Sequence, residues 1–131
     1  MSVTQDSFDA FDAVTRGLKN FSAHARVSPR GGLRIVFEGY LDGDAANAVS
    51  EPLVALVAAW DGAPRIIVDL AELQYIASLG IGMLTMAAVA AKKRAIDMSL
   101  ESPRPSVLHV LELLGIPQYI PVVKSTKGEG G

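Results

Sequence analysis

Ser78, between a strand-like run and a helix-like run in Ile76-Ala77-Ser78-Leu79-Gly80, is the side chain best placed for chemistry. A serine at such a junction first suggests a nucleophile elbow. That motif requires Gly-x-Ser-x-Gly, and position 76 is isoleucine, so serine hydrolysis lacks its turn. A triad would also need His24 or His109 with an acid such as Asp69. Both histidines have plainer readings, His24 on the polar side of a hairpin and His109 in an ordinary helix. Gly80-Ile81-Gly82 is too short for either phosphate-loop pattern and reads as close packing at a helix entry. Asp42 and Asp44 stand two apart, but a hard cation wants six or more oxygens, so they read as turn and capping residues. The chain has no cysteine, and its two histidines are far apart, which disfavours a thiolate or imidazole metal site. The reading is a non-enzyme with no catalytic residue, metal ligand or cofactor.

What remains is a hydroxyl at the start of a helix. Its structural use is capping, an acceptor for one free backbone N–H worth about 1 kcal/mol. Its regulatory use is phosphorylation, because free N–H donors and the positive end of the helix dipole both favour an anion there.

Periodicity supplies the elements that hold this serine. Phe8, Phe11, Val14, Leu18 and Phe21 recur at helical intervals, with Thr4 or Asp6 as cap. Phe21, Ala23, Ala25 and Val27 then alternate with polar residues, Pro29-Arg30-Gly31-Gly32 turns the chain, and residues 33–41 return as the second strand of a hairpin. Asp42-Gly43-Asp44 breaks that strand, and Asp44 caps a helix carrying Ala46, Val49, Leu53, Leu56, Val57 and Trp60. Pro52 sits inside it, at a cost of about 3 kcal/mol unless the helix kinks or restarts. Residues 65–70, with Ile66-Ile67-Val68, read as a strand covered on both faces. A helix follows over about 80–94, ending in Lys92-Lys93-Arg94, where cations suit the dipole. Met98-Ser99-Leu100 is a short strand, 105–114 a helix stopped by Gly115, and 119–123 the last strand. Strands alternating with helices predict an α/β fold, a mixed sheet with right-handed crossovers between parallel neighbours.

The 131 residues make one domain, half apolar and with a net charge of −2. That near-neutral balance argues against direct nucleic-acid binding. Asp6, Asp9 and Asp12 occupy the stretch where a signal peptide would carry basic residues, which points to a cytoplasmic protein. Residues 73–91 are uncharged and nearly long enough to span a membrane. Gln74, Ser78, Gly80, Gly82 and Thr85 lie among them, their first part reads as a loop, and the expectation is a buried or half-buried helix without membrane insertion.

Gly39-Tyr40-Leu41-Asp42, Arg65-Ile66-Ile67-Val68-Asp69-Leu70, Tyr75-Ile76-Ala77-Ser78-Leu79-Gly80-Ile81-Gly82 and Pro105-Ser106-Val107 with Leu113-Leu114-Gly115-Ile116 follow one another in order. Together they resemble the STAS domain of anti-sigma-factor antagonists and sulfate transporters. The resemblance implies a sheet of about five strands with helices packed on it, over residues 21–123. Residues 1–20 form an added helical segment, covering a sheet edge or mediating self-association as a homodimer, and 124–131 a flexible tail. It further implies that Ser78 aligns with a serine phosphorylated by an anti-sigma-factor serine kinase. The unmodified antagonist binds that kinase and releases a sigma factor, and a PP2C-type phosphatase reverses the modification. The contact surface would comprise Asp42, Asp44, Ala77, Ser78, Leu79 and Gly80, with Ile81 and Met83 as an apolar rim. The family commonly has Asp-Ser here, and this chain has Ala77-Ser78. The alternative is a STAS subunit of a phospholipid-trafficking ABC transporter, docked on its ATPase without phosphorylation. A third reading, nucleotide or lipid binding, finds no pocket-specific pattern.

Overall fold

The computed structural model describes residues 3–124. The element order is α1 (Gln5–Ala13), β1 (Phe21–Val27), β2 (Leu33–Leu41), α2 (Gly43–Ala59), β3 (Arg65–Ile76), α3 (Ser78–Lys93), β4 (Asp97–Glu101), α4 (Pro105–Leu113) and β5 (Val122–Val123), with a 3-10 turn over Ile116–Gln118. The five strands lie in the order β1-β2-β3-β4-β5; β1 and β2 are antiparallel and the remaining neighbours parallel. The expected mixed α/β sheet is the observed one. Residues expected as a tail lie, after Lys124, outside the described residues.

Alternation sorts the sheet into two faces. Leu33, Ile35, Ile66, Val68, Met98 and Leu100 face one way in register and are buried. α2 packs against β2 and against α3, and α3 against β3 and β4. The opposite face carries Arg34, Val36, Ile67, Asp69, Ser99 and Glu101, all half-exposed. There Arg34 donates from Nη1 to Asp69 (3.0 Å) and from Nη2 to Glu101 (3.1 Å), joining three strands. Asp69 is therefore committed to Arg34, and its other oxygen accepts the Ala71 N–H at 3.0 Å. It is no partner for a histidine.

Four expectations about elements change. β3 runs on to Ile76, so the stretch read as a loop is strand: Leu70, Leu73 and Ile76 are buried at three-residue spacing, because the β2–β3 register shifts between Val36/Glu38 and Gly39/Tyr40. The cap of α2 is Asp42, not Asp44, with the Ala45 N–H donating to Asp42 Oδ1 at 2.9 Å. α2 continues through Pro52, because buried Val49, Leu53, Leu56 and Val57 flank it. At about 1.5–3 kcal/mol each, their burial outweighs one lost N–H. The last strand shrinks to Val122–Val123: Tyr119 and Ile120 both donate their N–H groups back to Ile116 O, and Pro121 has none to give.

Thr4 caps α1, as expected, in a reciprocal capping box with Ser7. Phe8 and Phe11 are buried, and Phe8 stacks on Trp60 with centroids 6.4 Å apart. Phe21, in phase with that helical stripe, begins β1 instead. Arg94 ties the far ends of α2 and α3 together, donating from Nη1 to Val57 O (2.9 Å), which also accepts the Trp60 N–H, and to Trp60 O (2.6 Å), where α2 stops.

Candidate functional site

The site lies where β2 and β3 end. Leu41 pairs in register with Ile76, and the Ala77 N–H extends the ladder by donating to Leu41 O at 2.9 Å. Asp42 and Ala77 are the next residues of the two chains, so the N-termini of α2 and α3 stand side by side. The sequence positions both strand ends through glycine. Gly39 has φ +96°, and a Cβ there would collide with the Asn20 carbonyl oxygen, whose lone pair accepts the Tyr40 N–H at 2.7 Å. Gly80 presses α3 onto the end of β2: a Cβ on it would lie 2.9 Å from Leu41 Cγ.

The two adjacent helix starts differ in charge. α2 has the Asp42 carboxylate as cap and Asp44 in its first turn. α3 has neither; its cap residue is Ala77, with no side-chain acceptor, and its first turn holds no acid. Ser78 is exposed and is the first helical residue, so the expectation that its hydroxyl caps the helix is replaced by a cap position that holds alanine. The α3 dipole thus ends at a bare turn carrying one hydroxyl.

The remaining residues expected at the surface divide. Leu79 is 56% exposed, and its Cδ1 would stand 3.4 Å from a Cβ on Gly43, so it bridges the two helix starts. Asp42 and Asp44 are exposed and Ala77 half-exposed. Gly80, Ile81 and Met83 are buried, so Ile81 and Met83 form no rim; they belong to the hydrophobic core. The exposed apolar residues of α3 are Leu79, Met86 and Val89, on a face that ends at Lys92 and Lys93.

Two residues quoted only as motif letters prove to be part of this edge. Tyr40 and Tyr75 pair in register across β2 and β3, both about half exposed, with ring centroids 6.3 Å apart and Tyr40 Oη 3.4 Å from Gln74 Oε1. Plain alternation sets both outward: Tyr40 lies between the inward positions of β2 marked by Leu33, Ile35, Phe37 and Leu41, and Tyr75 is out of phase with buried Ile66, Val68, Leu70 and Ile76 of β3. A groove of about 280 Å³ lined by Leu18, Lys19, Asn20, Tyr40, Asp42 and Asp44 continues the edge toward the N-terminal segment. His24 lies elsewhere, between Asp12 (3.6 Å) and Glu38 (3.5 Å), and His109 is exposed on α4.

A mixed sheet flanked by crossover helices, presenting a serine at the bare start of one of them, defines a small α/β domain of the STAS architecture. The family model described as "Mlab, STAS domain" matches residues 24–124, and the chain belongs to the STAS domain family. The unphosphorylated form of the anti-sigma factor antagonist SpoIIAA shares its fold with a TM-score of 0.67 at 21% identity, over 82% of this chain and 91% of that one. An anti-sigma factor antagonist from Mycobacterium paratuberculosis gives 0.67 at 18% identity, over 82% and 89%. The phosphorylated form of the Bacillus cell fate determinant SpoIIAA gives 0.62 at 19% identity, over 82% and 95%. No curated protein matches the chain. Among the described residues no helix is long and apolar enough to cross a membrane.

Proposed function

We propose that this STAS domain, residues 21–123, is a non-enzymatic protein-interaction switch of the anti-sigma-factor-antagonist kind, acting in the cytoplasm on transcription. Its docking edge is Ser78, Leu79, Ala77, Asp42 and Asp44, widened by Tyr40 and Tyr75. The partner is an anti-sigma-factor serine kinase, bound while Ser78 is unmodified and released when it is phosphorylated; a PP2C-type phosphatase resets the switch. The observation that carries this reading is the exposed Ser78 at the uncapped start of α3. Phosphate would add about −1.5 to −2 charges at a turn whose N–H groups favour an anion, so the domain itself tolerates the change. A partner apposed to it does not. One like-charge contact at about 5 Å, at an effective dielectric near 20, is about 3 kcal/mol before screening, and even partly screened weakens binding about a hundredfold.

The test is capture of partners from native lysate with the wild-type chain, Ser78→Ala and Ser78→Asp, with intact-mass analysis after incubation with the captured kinase and ATP. A phosphate on the wild type, none on Ser78→Ala, and loss of capture by Ser78→Asp support the switch. Equal capture by all three rejects it.

Ala77 favours a second reading, the STAS subunit of a phospholipid-trafficking ABC transporter docked on its ATPase. The acid usual beside the serine is missing, and the matched family model carries the description Mlab, not that of an antagonist. Here the α3 face of Leu79, Met86 and Val89 would bind without phosphorylation. Co-purification of an ATPase with a permease identifies this reading; an ATPase of the histidine-kinase-like fold identifies the first.

A further inference from the structure

The turn between α1 and β1 is clamped at three points. Asp12 Oδ1 accepts the Ala25 N–H at 2.9 Å, and Thr15 Oγ1 accepts the Ala23 N–H at 3.1 Å. Asn20 O accepts the Tyr40 N–H at 2.7 Å. Between these points the Arg16 and Leu18 N–H groups donate to Ala13 O and Thr15 O, so the turn is also held by its own bonds. Thr15 is 3% exposed, whereas Arg16 and Lys19 are exposed. Two cations therefore stand on a fixed bracket beside β1.

The bracket walls a groove of about 620 Å³ that is also lined by Ser22, Glu38, Tyr40 and Gln74. It meets the groove of about 280 Å³ at Lys19, Asn20 and Tyr40, which line both. The smaller groove reaches Asp42 and Asp44, so one surface runs from the bracket to the helix starts beside Ser78. Its charges divide into committed and free. Glu38 Oε1 accepts the Ser22 hydroxyl at 3.1 Å and lies 3.5 Å from His24, and Asp12 lies 3.6 Å from the other ring nitrogen. Among the described residues Arg16, Lys19 and Asp44 make no ion pair. Small-molecule sites are mostly apolar with a few polar groups. This lining is mainly polar and charged, as the rim of a protein interface is.

We infer that Arg16 and Lys19 determine which partner docks at Ser78: they take an acidic segment of that partner, laid along the groove with a basic side chain at its Asp44 end. The inference rests on the docking edge proposed above and extends it from the helix starts to the N-terminal segment. Charge order selects the occupant. A segment of the opposite order sets its base against Arg16 and Lys19 and its acid against Asp44, and such like-charge contacts suppress wrong partners. The three clamps preorganise the bracket, so binding adds little ordering cost on this side. The bracket also precedes residues 24–124, which the family model matches. The common domain thus supplies the serine and the helix starts, and the segment before it supplies the choice of partner.

The test titrates the purified ATPase captured by the wild-type chain into that full chain and its R16E/K19E, R16Q/K19Q, R26E/R30E and S78D variants, by calorimetry at two salt concentrations. R16E/K19E is expected to weaken binding about tenfold or more, and R16Q/K19Q by less, because reversal adds repulsion where neutralisation only removes attraction. Wild-type affinity should fall as salt rises, and that of R16Q/K19Q should fall less. Arg26 and Arg30 are exposed and outside both grooves. R26E/R30E makes the same change in net charge and should bind within about twofold of the wild type. An R16E/K19E variant that binds no worse than R26E/R30E overturns the inference. Weakened binding by S78D beside unchanged binding by R16E/K19E sinks the bracket and leaves the serine switch. The reverse result supports the bracket and sinks the switch, and a wild type that binds no ATPase overturns both. If R16E/K19E does not fold, R16Q/K19Q is read against the same control with the same outcomes.

Discussion

Gly80 rests on Leu41 so closely that a Cβ on the glycine would lie 2.9 Å from Leu41 Cγ and 3.0 Å from Ile76 Cγ1. Leu41 is fully buried and has no room to retreat. The first turn of α3, and with it Ser78, is set by that contact. Gly80→Ala is expected to destabilise the domain by about 1–3 kcal/mol through overpacking, despite the better helix propensity of alanine. Gly82, two residues on, has open space around its Cβ position. Gly82→Ala is expected to stabilise by about 0.5–1 kcal/mol. Urea unfolding of the two variants checks the pair, and equal effects would refute the contact.

Ala77 occupies the cap position of α3 without a side-chain acceptor. Ala77→Asp supplies one, together with a negative charge at the positive end of the dipole. A gain of about 0.5–2 kcal/mol is expected. Thermal unfolding measures it. An unchanged midpoint would mean that these N–H groups already have acceptors.

Much of this arrangement was legible in the sequence, because alternation and helical period put β1, β2, α2, the start of β3 and α4 close to their observed bounds. The failures share a cause. The end of β3 buries Leu70, Leu73 and Ile76, a spacing that follows from a register shift against β2 and has no period-two signature. Tyr40 and Tyr75, by contrast, face outward in phase with plain alternation along β2 and β3. Ile81 and Met83, offered by the sequence as an apolar rim with core packing the expected fate of at least one, are both buried. A helix turns 100° per residue, so neighbours of an exposed Ser78 and Leu79 face the core. Arg94 reads locally as a cation at a helix end. Its bonds to Val57 and Trp60, 37 and 34 residues back, exist only once the two helices pack.

Asp69 and Glu101 are register partners on β3 and β4, and the Arg34 guanidinium holds both. Arg34→Leu leaves two carboxylates opposed with their cation gone. The pair is partly hydrated, so a loss of about 1–3 kcal/mol is expected. Adding Asp69→Asn in that background should recover part of the loss by removing the repulsion, and salt should narrow the gap between the two. A double variant less stable than Arg34→Leu would show that the carboxylates do not repel.

Leu79, Tyr40 and Tyr75 expose about half of their surface beside Ser78 while their backbones lie in well-paired elements. Exposed positions of this kind contribute little to folding, whereas tyrosines at the centre of an interface contribute most of its energy. Leu79→Ala and Tyr75→Ser are therefore expected to shift unfolding by less than about 0.5–1 kcal/mol. Each should weaken capture of the partner about tenfold or more. Val27→Ser, exposed at the other end of β1, is the matched control and should change neither. Isothermal titration with the captured partner decides it. Loss of affinity only in the Met86 and Val89 variants, with Leu79 and the tyrosines silent, would move the docking surface along α3 and away from the serine. A phosphate on Ser78 would then lie outside the contact and could not release the partner by charge repulsion.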